Sequence, residues 1–453
     1  MNKNYKLLIA TFAAAFAALP LFAAIGTYWT GDAQDGIWET PENWETRTIP
    51  GTIDRRYFGA NTNGIFTVNG NVNFGHIVFT EDANGNYTLN KNGATSKLSL
   101  YSVTVQASTN GATLHTFSGA VNEVAMQKGT RFTIESPATS FRITGASKLD
   151  WIGKEYTYKD GAGTFIYDHT SNMNVSQFFL SDGVVDCAAN FNGFFCVENG
   201  APGGTFTNSA PTRQCVLTLT TPNGAITNAM VDGMAFFTGN IGGNVRLVVG
   251  ATSGNTPKQI FSGGSIVLTN STTFNCGEVY FNTPNALLAN TAVIGATGGE
   301  ANAILGGDGR IAMLPNAALT VAHTGTRVSR AIIAPGGAAT NIIDTMTIGT
   351  LGNNNVVTLG KQSVLRIKLT PDGASCLAIN GDLVLENDPE IEFICTDAAR
   401  ARIISMPVIT WTGTHNGARF ATVTGLPEQY ILRYRANAII AERNDLGTFI
   451  IVK

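Results

Sequence analysis

Charged residues are scarce in this sequence: Asp, Glu, Lys and Arg together make up 13% of its 453 residues, about half of the ~25% found in typical soluble domains. The formal net charge is only −3. Proteins that bind nucleic acid or anionic membranes usually present a basic surface, so this charge balance predicts no nucleic-acid partner. Because 44% of the residues are apolar, the low charge does not indicate disorder, and we expect a folded chain.

Motifs for catalysis and for cofactors are also missing. The sequence contains no G-x-S-x-G nucleophile motif, no P-loop and no dinucleotide-binding glycine motif between a strand and a helix. No cysteines stand in a C-x-x-C pair and no histidine stands at zinc-binding spacing. Acidic groups occur around Asp35, Asp82 and Asp382, but Asp in a turn usually accepts hydrogen bonds from the local backbone. The sequence therefore predicts no catalytic residue, no cofactor and no metal site.

A long apolar run occurs only near the N-terminus. Lys3 and Lys6 precede the apolar segment Leu7–Leu21, and small residues follow it. This order is typical of a signal peptide that is removed on export, with cleavage near Ala23 or Ala24; the alternative is a retained anchor. No later run reaches the ~18 apolar residues of a membrane-spanning helix. We therefore expect a periplasmic, extracellular or cell-surface protein without a transmembrane segment after cleavage.

The six cysteines leave two interpretations open. An oxidising compartment permits disulfides, but six cysteines allow many pairings. Cys187 and Cys196 bracket a short segment with Asn and Gly that suits a tight turn, so they are the best single candidate for a disulfide. The alternative is that most of the cysteines are reduced and buried as small apolar residues.

The periodicity of an amphipathic helix is absent, and short alternating segments take its place. Apolar residues flank a single intervening residue in many triplets, for example Ile77–Phe79, Leu98–Leu100, Phe132–Ile134, Leu319–Val321 and Leu383–Leu385. Period-two alternation is typical of strands, and the 50 glycines supply turns between them. Two or three such strands would form one coil of roughly 20–30 residues. The pattern predicts an all-β fold, a single-stranded parallel β-helix.

The last third of the sequence resembles a known family. Segments similar to its repeats are Gly306–Ile311, Ala334–Gly337, Leu365–Leu369, Ile379–Leu383 and Gly425–Tyr430. The family is that of the autotransporter-associated β-strand repeat proteins, large exported bacterial proteins whose passenger regions are parallel β-helices. The resemblance implies this architecture and no catalytic residue. Because runs of ~10-residue alternating strands with aromatic girdles are absent, we expect a passenger-like chain without a translocator barrel.

The head of the chain carries three of the five tryptophans, Trp29, Trp38 and Trp44. A solenoid must cover the open ends of its core, so a buried cap is the first interpretation. The alternative is an exposed ligand surface on which sugar rings stack. The segment Tyr28–Trp44 also resembles the opening motif of the same family.

These patterns divide the chain into four parts. We expect a signal peptide at 1–24, an N-terminal cap at 25–56, a β-solenoid with an irregular middle at 57–303, and a C-terminal repeat region with its own cap at 304–453. In that last part, Tyr430–Tyr434, Ala438–Ile440 and Thr448–Val452 are expected to be short antiparallel strands. The Gly- and Pro-rich segment Asn199–Pro211 is expected to be an exposed loop.

The function that fits this architecture is that of a non-enzymatic scaffold or adhesin-like protein. Its partners would be extracellular polysaccharide or other surface proteins, bound by the Asn199–Pro211 loop or by the head tryptophans. The alternative is a β-helix protein that binds or cleaves polysaccharide. Cleavage would require acidic residues from neighbouring coils to meet in a groove.

Overall fold

The computed structural model describes residues 26–444, except 52–53, 61–63, 70–71, 84–86, 92–96, 119–122, 146–147, 152–155, 171, 197–202, 211–214, 220–229, 232–233, 244, 251–256, 269–270, 289–291, 296–300, 324–328, 338–342 and 396–404. Their regular structure is almost entirely β-strand, and the one short 3-10 helix among them spans Pro41–Asn43.

The strands of the N-terminal half are, in chain order, β1 Gly26–Tyr28, β2 Arg55–Phe58, β3 Ile65–Val68, β4 Val72–Phe79, β5 Thr88–Lys91, β6 Lys97–Val105, β7 Thr113–Phe117, β8 Glu123–Ile134, β9 Thr139–Gly145, β10 Lys148–Trp151, β11 Tyr156–Asp160, β12 Thr164–His169, β13 Met173–Leu180, β14 Val184–Cys187, β15 Phe191–Cys196, β16 Thr205–Thr207 and β17 Cys215–Leu219.

The strands that follow are β18 Met230–Val231, β19 Met234–Phe237, β20 Asn240–Ile241, β21 Val245–Val249, β22 Lys258–Ser262, β23 Ser265–Leu268, β24 Thr273–Phe274, β25 Gly277–Asn282, β26 Asn285–Leu288, β27 Ala292–Ile294, β28 Ala303–Gly307, β29 Arg310–Met313, β30 Ala318–Val321, β31 Ala331–Pro335, β32 Thr345–Ile348, β33 Asn355–Leu359, β34 Ser363–Thr370, β35 Gly373–Ala374, β36 Cys376–Ile379, β37 Gly381–Leu385, β38 Glu390–Cys395, β39 Ser405–Trp411, β40 Thr422–Thr424, β41 Tyr430–Tyr434 and β42 Ala438–Arg443.

The chain winds as a parallel β-helix with three faces, which confirms the predicted fold class. In the C-terminal part each coil contributes one strand to face 1, one to face 2 and one to face 3, as β28, β29 and β30 do. Each of these strands pairs in parallel with its counterpart one coil later: β28 with β31, β29 with β32 and β30 with β33. Face 2 runs from β3 to the last hairpin as one continuous sheet.

Bent strands extend the three-faced coil into the N-terminal part. The first half of β8 pairs with β10 and its second half with β11, so β8 spans the corner between face 3 and face 1. The long strands β4, β6 and β13 show register shifts at the same corner. Gly75 and Gly129 lie at such bends with φ of 51° and 76°, a region that glycine adopts without strain. Beyond β15, face 1 continues in β19, where the rings of Phe195 and Phe237 lie 5.3 Å apart.

The core lies inside the coil and is continuous along it. Strands such as β7 and β21 alternate between buried and half-exposed residues, because successive side chains of a strand point to opposite sides of the sheet. The inward side chains of each coil contact those of the next, as the rings of Phe261 and Phe281 do at 5.5 Å. Each fully buried side chain of this size stabilises the fold by about 1.5–3 kcal/mol. A coil can bury its apolar side only against its neighbours.

Both ends of the described chain depart from the simple coil. At the start, the aromatic head packs on the first coil. At the end, β41 and β42 form an antiparallel hairpin, and β42 pairs antiparallel with β39 of face 2. The expected antiparallel finish is therefore confirmed for Tyr430–Tyr434 and Ala438–Ile440, whereas Thr448–Val452 lies outside the described residues.

Candidate functional site

The head tryptophans do not form an exposed ligand surface. The side chains of Trp29, Trp38 and Trp44 are 2%, 0% and 1% exposed, and the Trp44 Nε1 donates a hydrogen bond to the Trp38 carbonyl at 3.0 Å. They pack against Phe58 and Phe66 of the first coil. The first interpretation, a buried cap over the end of the core, agrees with this burial, and the alternative of an exposed surface for stacking sugar rings is wrong.

The Asn199–Pro211 segment is not an exposed loop throughout. Its described residues, 203–210, include strand β16 on face 2, and Phe206 in that strand is fully buried. The loop prediction is wrong for this part because the Thr-Phe-Thr alternation places one ring into the core. The remaining residues of the segment lie outside the described ones.

The cysteine pairing predicted from the sequence is also wrong. Cys187 is a free, fully buried thiol at the end of β14. It makes a side-chain contact with Cys215 of the next coil and donates a hydrogen bond to the Ala189 carbonyl at 3.2 Å. The side chain of Cys196 is not among those described. Cys187 ends a strand of face 2, whereas Cys196 pairs with Phe179 on face 1, so the two residues lie on different faces.

The acidic residues singled out in the sequence accept hydrogen bonds from backbone and hydroxyl groups: Asp35 within its own turn, as expected, and Asp382, which lies in strand β37, from the next coil. Asp35 accepts hydrogen bonds from the backbone N–H of Ile37 and from the side chains of Thr40 and Asn43. Burial alone would raise the pKa of Asp35, but these hydrogen bonds outweigh it and hold the pKa below its ordinary value. Asp382 accepts hydrogen bonds from the Thr414 backbone and hydroxyl groups.

A row of outward-facing side chains on face 1 forms the most distinctive surface. His76, Ser102, Arg131, Tyr158 and Phe179 stand directly opposite one another on five successive coils. They lie on the outer side of the sheet, because the residue that follows each of the first three, for example Ile77 or Phe132, is fully buried; the last member, Phe179, is itself only 8% exposed. We call these five residues the face-1 ladder. Neighbouring members are one strand spacing apart, about 4.8 Å.

Three members of the face-1 ladder are in direct contact. The guanidinium carbon of Arg131 lies 4.3 Å from the ring centroid of Tyr158. The rings of Tyr158 and Phe179 are stacked with centroids 4.7 Å apart. Arg131 also forms an ion pair with Asp160, and its side chain remains 42% exposed. These contacts hold the side chains in fixed positions, which lowers the entropy that ligand binding would otherwise cost.

The N-terminal end of the face-1 ladder, His76 and Ser102, is polar. The His76 Nδ1 and the Ser102 hydroxyl are 2.8 Å apart, and the ring of Tyr101, which is 39% exposed, lies 6.0 Å from that of His76. Burial, and then the charges of Arg55 and Arg56, lower the pKa of His76. His76 is therefore neutral at neutral pH and offers one donor and one acceptor. Aromatic rings beside such polar groups suit a sugar, which presents C–H surfaces and hydroxyl groups.

A second group of titratable side chains lies at the corner between face 1 and face 2 in the C-terminal part. Asp308 and Asp344 come from consecutive coils, which are joined there by the hydrogen bond from Thr347 N to Gly309 O at 3.1 Å. Burial raises the pKa of Asp308, and the charge of Asp344 raises it further. Burial lowers the pKa of the nearby Lys368 to about 8, and the charge of Arg366 lowers it as well.

Comparison with known protein families and with curated proteins does not identify this chain. No model of a known protein family matches the chain, and no curated protein matches it. Within the described ranges no helix has the length and apolar character needed to cross a membrane. The same residues include no group of three His, Cys, Asp or Glu side chains arranged to hold a metal ion.

The face-1 ladder leaves only a faint signal in the sequence. Each member occupies the outward position of an alternating strand, and successive members are one coil apart, roughly 20–30 residues. Finding the ladder from the sequence would have required the register between coils. That register depends on the bends of the long strands at Gly75 and Gly129. No sequence motif predicts the positions of these bends.

Proposed function

We propose that this chain is an exported, adhesin-like β-helix scaffold that binds polysaccharide along the face-1 ladder. The observation that carries the proposal is the fixed contact of Arg131, Tyr158 and Phe179 on successive coils. A linear polymer presents its units at regular intervals along its length, and the ladder presents one side chain per coil at regular intervals. Sugar C–H groups pack on aromatic surfaces, and sugar hydroxyl groups bond to guanidinium and hydroxyl groups.

The ligand class follows from the charges near the ladder. Arg131 is paired with Asp160, and His76 is neutral because its pKa is lowered. Arg55, at the head of the same row, is exposed. A neutral or weakly acidic polysaccharide matches this balance better than a strongly anionic one.

Export rests on the sequence: the charged, apolar and small segments before residue 25 and the resemblance to passenger regions. Expression of the full chain in a Gram-negative host tests it. We expect the purified protein to start near residue 24 or 25 and to be recovered outside the cytoplasm. Recovery of an uncleaved chain in the cytoplasm would contradict export and leave the binding proposal to be tested separately.

Binding is tested by affinity electrophoresis against a panel of neutral and acidic polysaccharides. We expect at least one polymer to retard the wild-type chain, and Arg131→Ala to weaken that retardation. The matched control is Arg142→Ala, which removes an arginine from the outward side of β9 on face 2, in the same coil. Retardation by none of the polymers, or equal loss with both variants, would overturn the proposal.

Cleavage of polysaccharide is the second candidate, and the Asp308–Asp344–Lys368 corner favours it. Two carboxyl groups from consecutive coils lie near a lysine with a pKa lowered to about 8, and a lysine of that pKa can act as a general base. The same panel, assayed for new reducing or unsaturated ends, tests this candidate. Cleavage that rises with pH towards 8 and is abolished by Lys368→Met would support it; binding without new ends would leave the scaffold as the function.

A further inference from the structure

Two buried cysteines from consecutive coils meet at the corner between face 2 and face 3. Cys187 is the last residue of β14 on face 2, and Cys215 is the first residue of β17 on face 3. Both side chains are 0% exposed and belong to the main core. The thiol of Cys187 makes a side-chain hydrogen-bond contact with that of Cys215. Both are free thiols in the structure.

The strand register explains why the two residues meet. Phe191 pairs with Leu217, so two residues earlier on these parallel strands Ala189 lies opposite Cys215. Cys187 Sγ is directed to this same position, because it donates to the Ala189 carbonyl at 3.2 Å. Ala189 and Cys215 are therefore one strand spacing apart, about 4.8 Å, and the Cys187 thiol, which reaches the Ala189 carbonyl, also contacts the thiol of Cys215. Rotation of the Cys187 side chain from Ala189 towards Cys215 would bring the sulfur atoms together without a change of fold.

We propose that Cys187 and Cys215 form a disulfide bond that ties two consecutive coils together when the chain folds in an oxidising environment. The oxidant is a disulfide, either of a protein oxidoreductase or of a small thiol such as glutathione. The Cys187 thiolate attacks it, which forms a mixed disulfide and releases one thiol of the oxidant. The Cys215 thiolate then attacks the Cys187 sulfur and releases the second thiol. The protein loses two electrons and two protons, and the oxidant's disulfide becomes two thiols.

The burial of the pair determines when this bond can form. Burial, and then the contact with Cys215, raise the pKa of the Cys187 thiol well above its ordinary value. Because the thiolate is the reactive form, a reduced pair enclosed in the finished coil reacts slowly with oxidants. The bond therefore forms before the coil closes, and the same enclosure afterwards shields it from reductants. The bond closes residues 188–214 into a loop, which restricts the unfolded chain.

Refolding followed by peptide mapping tests the proposal directly. The full chain is unfolded, reduced, and refolded in a mixture of reduced and oxidised glutathione; remaining thiols are then alkylated under denaturing conditions. We expect the peptides that carry Cys187 and Cys215 to be linked and Cys376 to be alkylated. Alkylation of both Cys187 and Cys215, or a link from Cys187 to any other cysteine, would overturn the proposal. This test needs no variant and does not depend on the polysaccharide ligand.

Thermal unfolding of the refolded protein gives an independent readout. We expect a strong reductant, added during unfolding, to lower the midpoint of the wild-type chain by roughly 5–10 °C. It should lower the midpoint of the control Cys376→Ala equally, and leave that of Cys215→Ala unchanged. An equal effect of the reductant on all three proteins would contradict a bond between Cys187 and Cys215.

Discussion

The Lys159 ammonium group lies inside the core and donates a hydrogen bond, 3.2 Å long, to the carbonyl oxygen of Asp182 in the next coil. It also donates to the carbonyls of Asp160 and Gly161, at 2.9 Å and 2.7 Å. The side chain is 0% exposed. An ionisable group thus occupies an inward position of face 1, where it donates hydrogen bonds to three carbonyl oxygens at a corner of the coil.

This buried lysine predicts a dependence of stability on pH. Burial lowers the pKa of Lys159 to about 8, whereas in the unfolded chain it is near the ordinary ~10.4. Between these values the unfolded chain binds more protons, so the contribution of Lys159 to the free energy of unfolding rises with pH, by up to about 3 kcal/mol. The difference in stability between wild type and Lys159→Met should therefore grow from pH 7.5 to pH 10 in denaturant titrations.

The control for this titration is Lys361→Met, which replaces an exposed lysine and should follow the wild-type pH dependence. Met leaves the carbonyls around residue 159 without their donor, so Lys159→Met should be less stable at every pH. The change with pH, and not the offset, carries the prediction. Parallel curves for wild type and Lys159→Met would show that Lys159 does not titrate in this range.

The head tryptophans predict where the coil begins to unfold. Trp38 is fully buried and lies 4.6 Å from Phe74 and 4.7 Å from Trp44, ring centroid to ring centroid. Trp38→Ala should destabilise the N-terminal end by about 3–5 kcal/mol, because it removes a large core side chain and leaves a cavity. Amide hydrogen exchange should then accelerate in β1 to β5 and stay slow in the C-terminal coils, since each coil contacts only its neighbours.

Ile49→Ala is the matched control for the head, because Ile49 is 47% exposed. It should change stability by no more than about 0.5 kcal/mol. If Trp38→Ala accelerated exchange evenly along the chain, the coils would unfold as one unit, and the head would not be a local cap.

We predict that residue 193, at the corner between face 3 and face 1, must be glycine. Gly193 has φ of 153°, and a Cβ atom placed there would lie 1.7 Å from the Val175 carbonyl oxygen of the preceding coil. Gly193→Ala must shift one of the two coils, so we expect a loss of more than about 3 kcal/mol or failure to fold. Gly242→Ala is the control, because nothing lies within 4 Å of its added Cβ. Circular dichroism during thermal unfolding distinguishes the two variants. Equal midpoints for Gly193→Ala and Gly242→Ala would mean that residue 193 does not lie against the Val175 carbonyl.

Local patterns sufficed for the fold class, and long-range register limited the rest. The triplets Ile77–Phe79, Leu319–Val321 and Leu383–Leu385 all lie in strands, because period-two alternation records which side of a strand is buried. The bends within long strands such as β8 left no comparable trace. For that reason the separation of three faces, and the residues that meet on each face, required the structure.

The errors in the candidate site have the same origin. Exposure of Trp29, Trp38 and Trp44 could not be read from their spacing, since an aromatic cap and an aromatic platform have the same composition. The predicted pairing of Cys187 with Cys196 rests on proximity in sequence alone. In a coil the nearest residue in space often belongs to the next turn, as Cys215 does.

The most direct test of the account is the affinity for the polysaccharide that retards the wild-type chain, measured for the double variant Arg131→Ala/Tyr158→Ala. The control double variant, Arg142→Ala/Ile166→Ala, removes outward side chains from face 2 in the same two coils. We predict that the face-1 variant loses at least about tenfold in affinity, or ~1.4 kcal/mol, while the control binds like the wild type. Unchanged binding by the face-1 variant, with both proteins folded, would contradict the assignment of the ladder as the binding surface.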